Sequence, residues 1–486
     1  MSKLASSIGN TFVSITTGQI VSLLLNIITF GIAARVLDVS DFGKFNYLLA
    51  MVGILAKLVD FGLNPIVFRE TSHNKNYNQY IGSALFFKVL MLFFILILSN
   101  LSVLLIDGDR TSFILMNLML INVFFSNKFT NIRELSIIPF KVELRMALPM
   151  GLVILDNFIF LILVLFLNNF DNKLLVFGVF YLISNIPGTL FLLISLVKNF
   201  QFRPQFSYPI LKEIISDSLP LFGFIIFTYI FMQADIMILR FFKGDTDVGI
   251  YSVAIRLSMP LIIIPSALTS SIFSLLVRKI KDSVDYSTII NTTLKILTVV
   301  ALSIFIIISF NSELIINIVF GPKFISSKGP LIILTFSLLF LFINFIVLDL
   351  FTVLNLQKIN FKYSILLNLI VLPLYLLLIP KYSFYGASVG KTFTFLCGSF
   401  YLLYFLSRKI VLSFNILKII FWFIFNLLVS YLLSLVLHEY LLGPISFFVL
   451  GSTLIIFKIF TKDELLKIAE IFGLKNNIIK ILNDNI

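Results

Sequence analysis

Long apolar runs and short polar interruptions alternate along the whole chain. A membrane-spanning helix needs about 20 predominantly apolar residues. Fourteen runs approach or reach that length, at about 11–34, 44–66, 80–106, 111–131, 147–168, 174–197, 215–241, 247–276, 288–310, 328–353, 360–380, 384–407, 414–437 and 442–460. The pattern predicts an all-α integral membrane protein. Lys128 to Arg145 is polar for a stretch between the fourth and fifth runs. The longest polar linker, about Asn199 to Asp217, contains Pro204 and Pro209. After Lys462, the residues Leu465, Leu466, Ile468, Ile471 and Phe472 recur at helical spacing, which predicts an amphipathic tail on the inner membrane surface.

Composition agrees with this pattern. The chain is 59% hydrophobic and 13% charged, against about 45–50% and about 25% in soluble domains. The basic residues test the helix map. With the N-terminus in the cytoplasm, 23 of the 37 Lys and Arg fall on the cytoplasmic side, nine on the opposite side and five within helices. This bias predicts both termini inside, and it accounts for the net charge of +13 without nucleic acid. The first run has no small-residue cleavage site behind it and is expected to be retained as a helix, not removed as a signal peptide. One cysteine, Cys397, excludes an intramolecular disulfide, and with only His73 and His438 besides it no Cys/His metal site is expected.

Two stretches echo each other. Residues 33–70 and the stretch from Ile238 each have an apolar segment ending in Arg35 or Arg240. A short polar loop follows in each, closed by Asp41-Phe42-Gly43-Lys44-Phe45 or Asp247-Val248-Gly249-Ile250-Tyr251. Each then enters a helix carrying a cation, Lys57 or Arg256. The chain therefore reads as two related halves: an N-terminal lobe over 1–198, a cytoplasmic linker over 199–214, a C-terminal lobe over 215–410, and two extra helices with the tail over 411–486.

Charges inside apolar runs are the candidate chemistry. A charge near the bilayer centre costs at least about 2.5–3.5 kcal/mol, so it normally faces protein or a water-filled cavity. Lys57, Asp60, Asp156, Arg256 and Lys391 lie deepest; Lys88, Lys295, Asp235 and Asp349 are nearer helix ends, where they could snorkel. Asp60 follows Lys57 by three residues, so the two share a helix face and could simply neutralise each other. Aligning Gly43 with Gly249 places Arg256 opposite Ala50, and Lys57 lies two helical turns further on the same face. If the halves are pseudo-symmetric, the two cations face one central space. Among the acids, Asp156 has no cation within a turn along the sequence and is the first candidate for ion coupling, with Asp60 and Asp235 behind it. Two motifs carry no weight. Gly386 to Thr392 is one residue short of a phosphate-binding loop and lacks its strand and helix, and Asn291-Thr292-Thr293 matches a glycosylation site at a helix end on the cytoplasmic side.

The entry around Asp41-Phe42-Gly43, Asp60-Phe61-Gly62 with Arg69-Glu70, and Asp235, Leu239-Arg240 and Gly249-Ile250-Tyr251-Ser252 resemble the polysaccharide-export and O-antigen flippase family. That family belongs to the multidrug/oligosaccharidyl-lipid/polysaccharide exporter superfamily. The resemblance runs through the twelfth helix. It implies two six-helix lobes around a central cavity, with two extra helices. It also implies a substrate, an undecaprenyl-pyrophosphate-linked oligosaccharide crossing the bacterial inner membrane, and a polysaccharide polymerase and chain-length machinery as further partners. On this reading Lys57, Arg256, Lys88 and Lys391 hold the pyrophosphate and no cofactor is needed. With no nucleotide site, the energy comes from an ion gradient, the membrane potential or downstream consumption. A multidrug exporter of the same superfamily is the alternative, though its lumen should be acidic. A membrane polysaccharide polymerase or ligase is the second alternative, though the outer loops are short for an enzyme.

Overall fold

The computed structural model describes residues 2–106, 109–269, 272, 276, 286–413, 415–461 and 464, with the backbone alone at 2–10, 12, 102–106 and 439. Among the described residues the regular structure is entirely helical, and eleven helices are long and apolar enough to cross a membrane. One of them, Gln357–Ser407, is two helices joined at a kink where Ser383 has φ 52°. Two shorter apolar helices, Arg110–Phe125 and Tyr440–Ile456, complete a set of fourteen. The chain is a multi-pass membrane protein. The amphipathic tail lies outside the described residues apart from Glu464.

The chain divides into two compact units, Met1–Ser252 with Val319–Gly321, and Val253–Ile318 with Pro322–Ile486. The first unit takes in Tyr208–Lys243, a segment that the sequence repeat assigns to the second half. Its helices are α1 (Ser2–Val36), α2 (Val39–Asp60), α3 (Leu63–Asn74), α4 (Tyr77–Ile106), α5 (Arg110–Phe125), α6 (Ile132–Val142), α7 (Ala147–Leu165), α8 (Lys173–Ile183), α9 (Ile186–Phe200) and α10 (Tyr208–Lys243). A further helix, α11 (Asp245–Ser258), begins in this unit.

Several boundaries differ from the hydrophobic runs, and each difference has a local cause. The second run, 44–66, is broken because Phe61 and Gly62 are both left-handed, with φ of 51° and 72°. Glycine tolerates that conformation freely, while the Phe61 N–H still donates to the Lys57 carbonyl at 3.0 Å. Pro65 then sits in the first turn of α3, where a missing N–H costs no helical bond. The fourth run stops at Phe125 instead of 131. The polar stretch behind it forms a short 3-10 turn, Asn127–Phe129, and then α6. The sixth run breaks at Ser184 and Asn185. The eighth passes through a 3-10 turn at Met259–Ile262, around Pro260, and resumes over 263–269.

The interrupted helices enclose a core of their own. Leu63, Ile66 and Val67 of α3, Leu135 and Ile138 of α6, Ile81 and Ala84 of α4, and Leu192 and Leu196 of α9 are buried together. Spacings of three and four residues put each set on one helix face. This core fixes α3 and α6 against the end of α2. Between α4 and α5, Asp109 caps α5 by accepting from the Thr111 and Ser112 N–H groups. Lys44 donates to it at 2.8 Å and holds its carboxyl down at about 2.

The repeat is visible in space. A Cβ on Gly43 would overlap the Asp245 carbonyl oxygen, and a Cβ on Gly249 would overlap the Val39 carbonyl oxygen. The offset that equates Gly43 with Gly249 also equates Val39 with Asp245. The contact is thus reciprocal, the hallmark of two-fold pairing. Two helix starts meet backbone to backbone, and only glycine permits it. Gly43→Ala is expected to destabilise by about 3 kcal/mol, the upper end for overpacking, because backbone instead of a side chain must move. A melting temperature in detergent equal to that of the parent would contradict this.

In the second unit, Lys328–Val353 packs along the kinked helix, with Ser399 donating to the Asn344 side-chain oxygen at 2.7 Å. The last pair, Ile416–Val436 and Glu439–Ile456, docks on Ser287–Val319 through Trp422, Ile419 and Leu450 against Val299, Leu302 and Ile306. The Trp422 indole donates to Thr453 at 3.1 Å, and Thr453 donates to Asn426 at 2.9 Å, so these three buried side chains satisfy one another across the pair. Lys295 forms an ion pair with Glu464 at 2.7 Å.

Candidate functional site

The break after α2 sets Lys57 and Asp60 at a helix end, beside the segment that joins α5 to α6. Three consecutive carbonyls of that segment accept hydrogen bonds from the groups around it. Lys57 Nζ donates to Phe129 O at 3.2 Å and to Thr130 Oγ1. Asn64 Nδ2 donates to Thr130 O at 2.9 Å and to Asn131 O at 3.3 Å. Lys88 Nζ reaches Asn131 O at 3.5 Å. Asn131 Nδ2 in turn donates to Ala56 O at 2.6 Å, tying the segment to α2. Thr130 holds φ at 45°, which turns the segment around the lysine.

The two lysines do different things. Lys88 is completely buried and bonds Asp60 Oδ1 at 2.5 Å and Asn64 Oδ1 at 2.7 Å. Asp60 is therefore paired with Lys88 on α4, not with Lys57 on its own helix. Lys57 has no ion-pair partner among the described residues; its ammonium lies 4.6 Å from the centre of the Tyr229 ring. Beside it is a cavity of about 360 Å³, lined in part by Lys57, Asp60, Asn64, Thr130, Glu134, Lys141 and Tyr229. Phe68, Pro65, Ile138 and Ile225 complete most of its apolar wall. Such a cavity brings two cations, Lys57 and Lys141, together with hydrogen-bond donors and apolar surface, while of its two acids Asp60 is paired with Lys88 and Glu134 faces it as well. No group of three or more potential metal-ligating side chains occurs among the described residues.

Asp156 is not the uncompensated acid that its sequence neighbourhood predicts. Arg133 of α6, wholly buried, forms an ion pair with its Oδ2, and the Gly188 N–H donates to Oδ1 at 3.1 Å. Gly188 has no room for a side chain, because a Cβ there would overlap the carboxylate. The last carbonyl of α5, Phe125 O, accepts from Arg133 at 3.2 Å and from Thr189 at 2.7 Å, which satisfies a helix end. Asp235 is wholly buried and accepts from the Tyr251 hydroxyl at 2.8 Å and from the Ile236 N–H.

Of the other residues singled out in the sequence, Arg256 and Lys391 belong to the second unit. Arg256 is half-buried in the last turn of α11, just before the break at Met259, and Lys391 is buried in the second part of the kinked helix. Sequence reading brought Lys57, Asp60 and Lys88 into consideration but missed Asn64, Thr130, Asn131, Arg133, Glu134, Lys141 and Tyr229. One signal pointed at most of them. Lys128 to Arg145 is too polar for a membrane span, and it is the stretch that surrounds the site.

This fold, with a cation beside a cavity in a bundle of broken helices, is that of a multi-pass membrane protein. The model of the family described as polysaccharide biosynthesis protein matches residues 8–278, more than half the chain, and the chain belongs to that family. It is 22% identical over 391 residues to the capsular polysaccharide biosynthesis protein CapF of Staphylococcus aureus, covering 77% of this chain and 93% of CapF. Among solved structures it is similar to the lipid II flippase MurJ in an inward closed conformation, with a TM-score of 0.76, 16% identity, and coverage of 92% of this chain and 97% of MurJ. A multidrug resistance MATE family transporter in an inward-facing conformation superposes with a TM-score of 0.63 at 16% identity, covering 80% and 94%.

Proposed function

We propose that the protein flips an undecaprenyl-pyrophosphate-linked oligosaccharide from the inner to the outer leaflet of the bacterial cytoplasmic membrane by alternating access, with both termini in the cytoplasm. The observation that carries this reading is Lys57, a buried cation beside a cavity with no carboxylate paired to it among the described residues. A pyrophosphate entering a membrane protein loses its hydration, and an apolar cavity could not offset that loss. A cation already desolvated and held in place can, through charge-assisted hydrogen bonds. The lipid chain stays in the bilayer while the sugar crosses inside.

Family membership and the likeness to CapF support a polysaccharide precursor, and the likeness to MurJ supports a fold able to pass a lipid-linked one. Arg256, which the repeat places on the helix face matching that of Lys57, is the second cation of this reading, and the linker over 199–214 is its hinge between lobes. The multidrug alternative would need an acid-dominated site for organic cations, whereas here Lys88 already occupies Asp60.

The reading is tested with the purified protein in vesicles holding a fluorescent undecaprenyl-pyrophosphate oligosaccharide. Wild type should equilibrate the lipid between leaflets, and Arg256→Ala should slow this at least about tenfold, the loss of a single charged contact. A wild type that leaves the labelled lipid in one leaflet, yet transports a lipophilic cation, would establish the multidrug alternative.

A further inference from the structure

We propose that Lys88 is a built-in counter-cation, a positioning residue that never meets the ligand but keeps Asp60 occupied so that Lys57 stays available to an anion. The geometry is that of an ion in an oxygen cage. An ammonium has three N–H donors and no acceptor, and Lys88 meets three oxygens of three kinds: the Asp60 carboxylate at 2.5 Å, the Asn64 amide at 2.7 Å and the Asn131 carbonyl at 3.5 Å. The cage is set from outside. Asn64 spends its own N–H donors on Thr130 O and Asn131 O, which turns its amide oxygen to the lysine. Asn131 is anchored to Ala56 O on α2. Carboxylate, amide and carbonyl oxygens are the donors that hold a hard cation, and here a tethered ammonium takes that place. Lys88 is 0% exposed and is absent from the cavity wall, so it cannot be a ligand for substrate in this state.

The consequence lies in the charge count of the cluster. Lys57, Lys88, Lys141, Asp60 and Glu134 sum to one positive charge, and the pairing decides which of them face the cavity with their charge free. With Lys88 in the cage, Asp60 is occupied, and Lys57 faces the cavity beside Lys141 and Glu134 with no ion-pair partner among the described residues. Without it, Asp60 turns to the cation three residues before it on its own helix, a spacing that lets side chains meet. Lys57 would then be neutralised by its neighbour. Two effects follow for Lys88→Ala. The emptied cage becomes a site for a small monovalent cation, for which ethylammonium, one carbon shorter than the missing end of the side chain, serves as the probe. The anion site is also lost, although no residue that lines it has changed. The second effect rests on the anion-site reading of Lys57; the first does not.

The full-length chain in nanodiscs tests both effects, by melting temperature against ethylammonium concentration and by binding of inorganic pyrophosphate. Lys88→Ala should melt below wild type and be restored saturably by ethylammonium, since a ligand that binds only the folded state stabilises it. Wild type and Lys88→Ala/Asp60→Asn should be indifferent to ethylammonium. Lys88→Ala should bind pyrophosphate at least about tenfold more weakly than wild type, and either ethylammonium or the added Asp60→Asn should restore binding. A merely structural lysine would show neither form of rescue. If Lys88→Ala does not fold on its own, its purification in ethylammonium decides: failure to recover folded protein under those conditions overturns the proposal. Lys88→Ala that binds like wild type, or that melts without regard to ethylammonium, overturns it as well. A wild type with no affinity for pyrophosphate would count against Lys57 as an anion site and leave the melting series to decide the role of Lys88.

Discussion

Replacing Lys57 by alanine is expected to abolish display of surface polysaccharide while the protein remains in the membrane at its normal level. The structure gives this lysine few structural duties. Its ammonium bonds a carbonyl and a hydroxyl and faces an aromatic ring, and it forms no ion pair among the described residues. Losing those contacts should cost the fold about 1–3 kcal/mol, because the two hydrogen bonds of a charged donor are largely offset by the desolvation of the buried ammonium. The ligand loses a charged contact. A hydrogen bond to a charged group is worth about 1.5–3 kcal/mol, so binding should weaken roughly ten- to hundred-fold. Lys57→Arg keeps the charge and should retain part of the activity. Surface polysaccharide staining, read beside membrane protein level and melting temperature, separates the two contributions. Normal display by Lys57→Ala would remove the residue from the site.

The largest expected effect on stability belongs to Arg133. Truncating one member of a buried ion pair leaves the other charge desolvated, at a cost of about 3–5 kcal/mol. Arg133→Met leaves Asp156 with the Gly188 N–H alone in a site that is otherwise closed to solvent. It also removes a donor from the end of α5. Replacing both partners at once, as Arg133→Met/Asp156→Leu, should recover most of that loss, because well-packed apolar groups can substitute for a buried pair at little cost. Two donors of Arg133, Nε and Nη2, have no hydrogen-bond partner among the described residues, which lowers what the native pair contributes and makes the recovery larger. Thermal unfolding of the three variants in detergent measures this directly. A double variant as unstable as Arg133→Met would show that the pair does more than neutralise itself. With Arg133 against it, Asp156 is read as a structural acid that orients α6 and α9.

The sequence by itself determined the class of molecule. Hydrophobic runs of membrane length need no tertiary information, because the bilayer imposes one condition on every span. The kink at Ser383 splits the longest helix as the separate runs 360–380 and 384–407 require. The repeat was legible for a similar reason: Gly43 and Gly249 sit where two backbones touch, and only glycine can occupy such a place. Lys57 was legible as a cation too deep to ignore.

What only the tertiary structure decided was who pairs with whom. Asp60 lies three residues from Lys57, and helical spacing argues for a local pair. Its true partner is Lys88, 28 residues away on another helix. Asp156 looked uncompensated because Arg133 stands 23 residues before it, on a separate short helix formed by the polar stretch between two hydrophobic runs. Spacing along one helix reports neighbours on that helix alone. In a low-dielectric interior, the partner that wins is the one that the packing brings within hydrogen-bond reach, and the breaks at Phe61 and Ser126 fold the polar segments inward to do so. The runs of apolar residues set how many helices there are; the interruptions in those runs set where the charges meet.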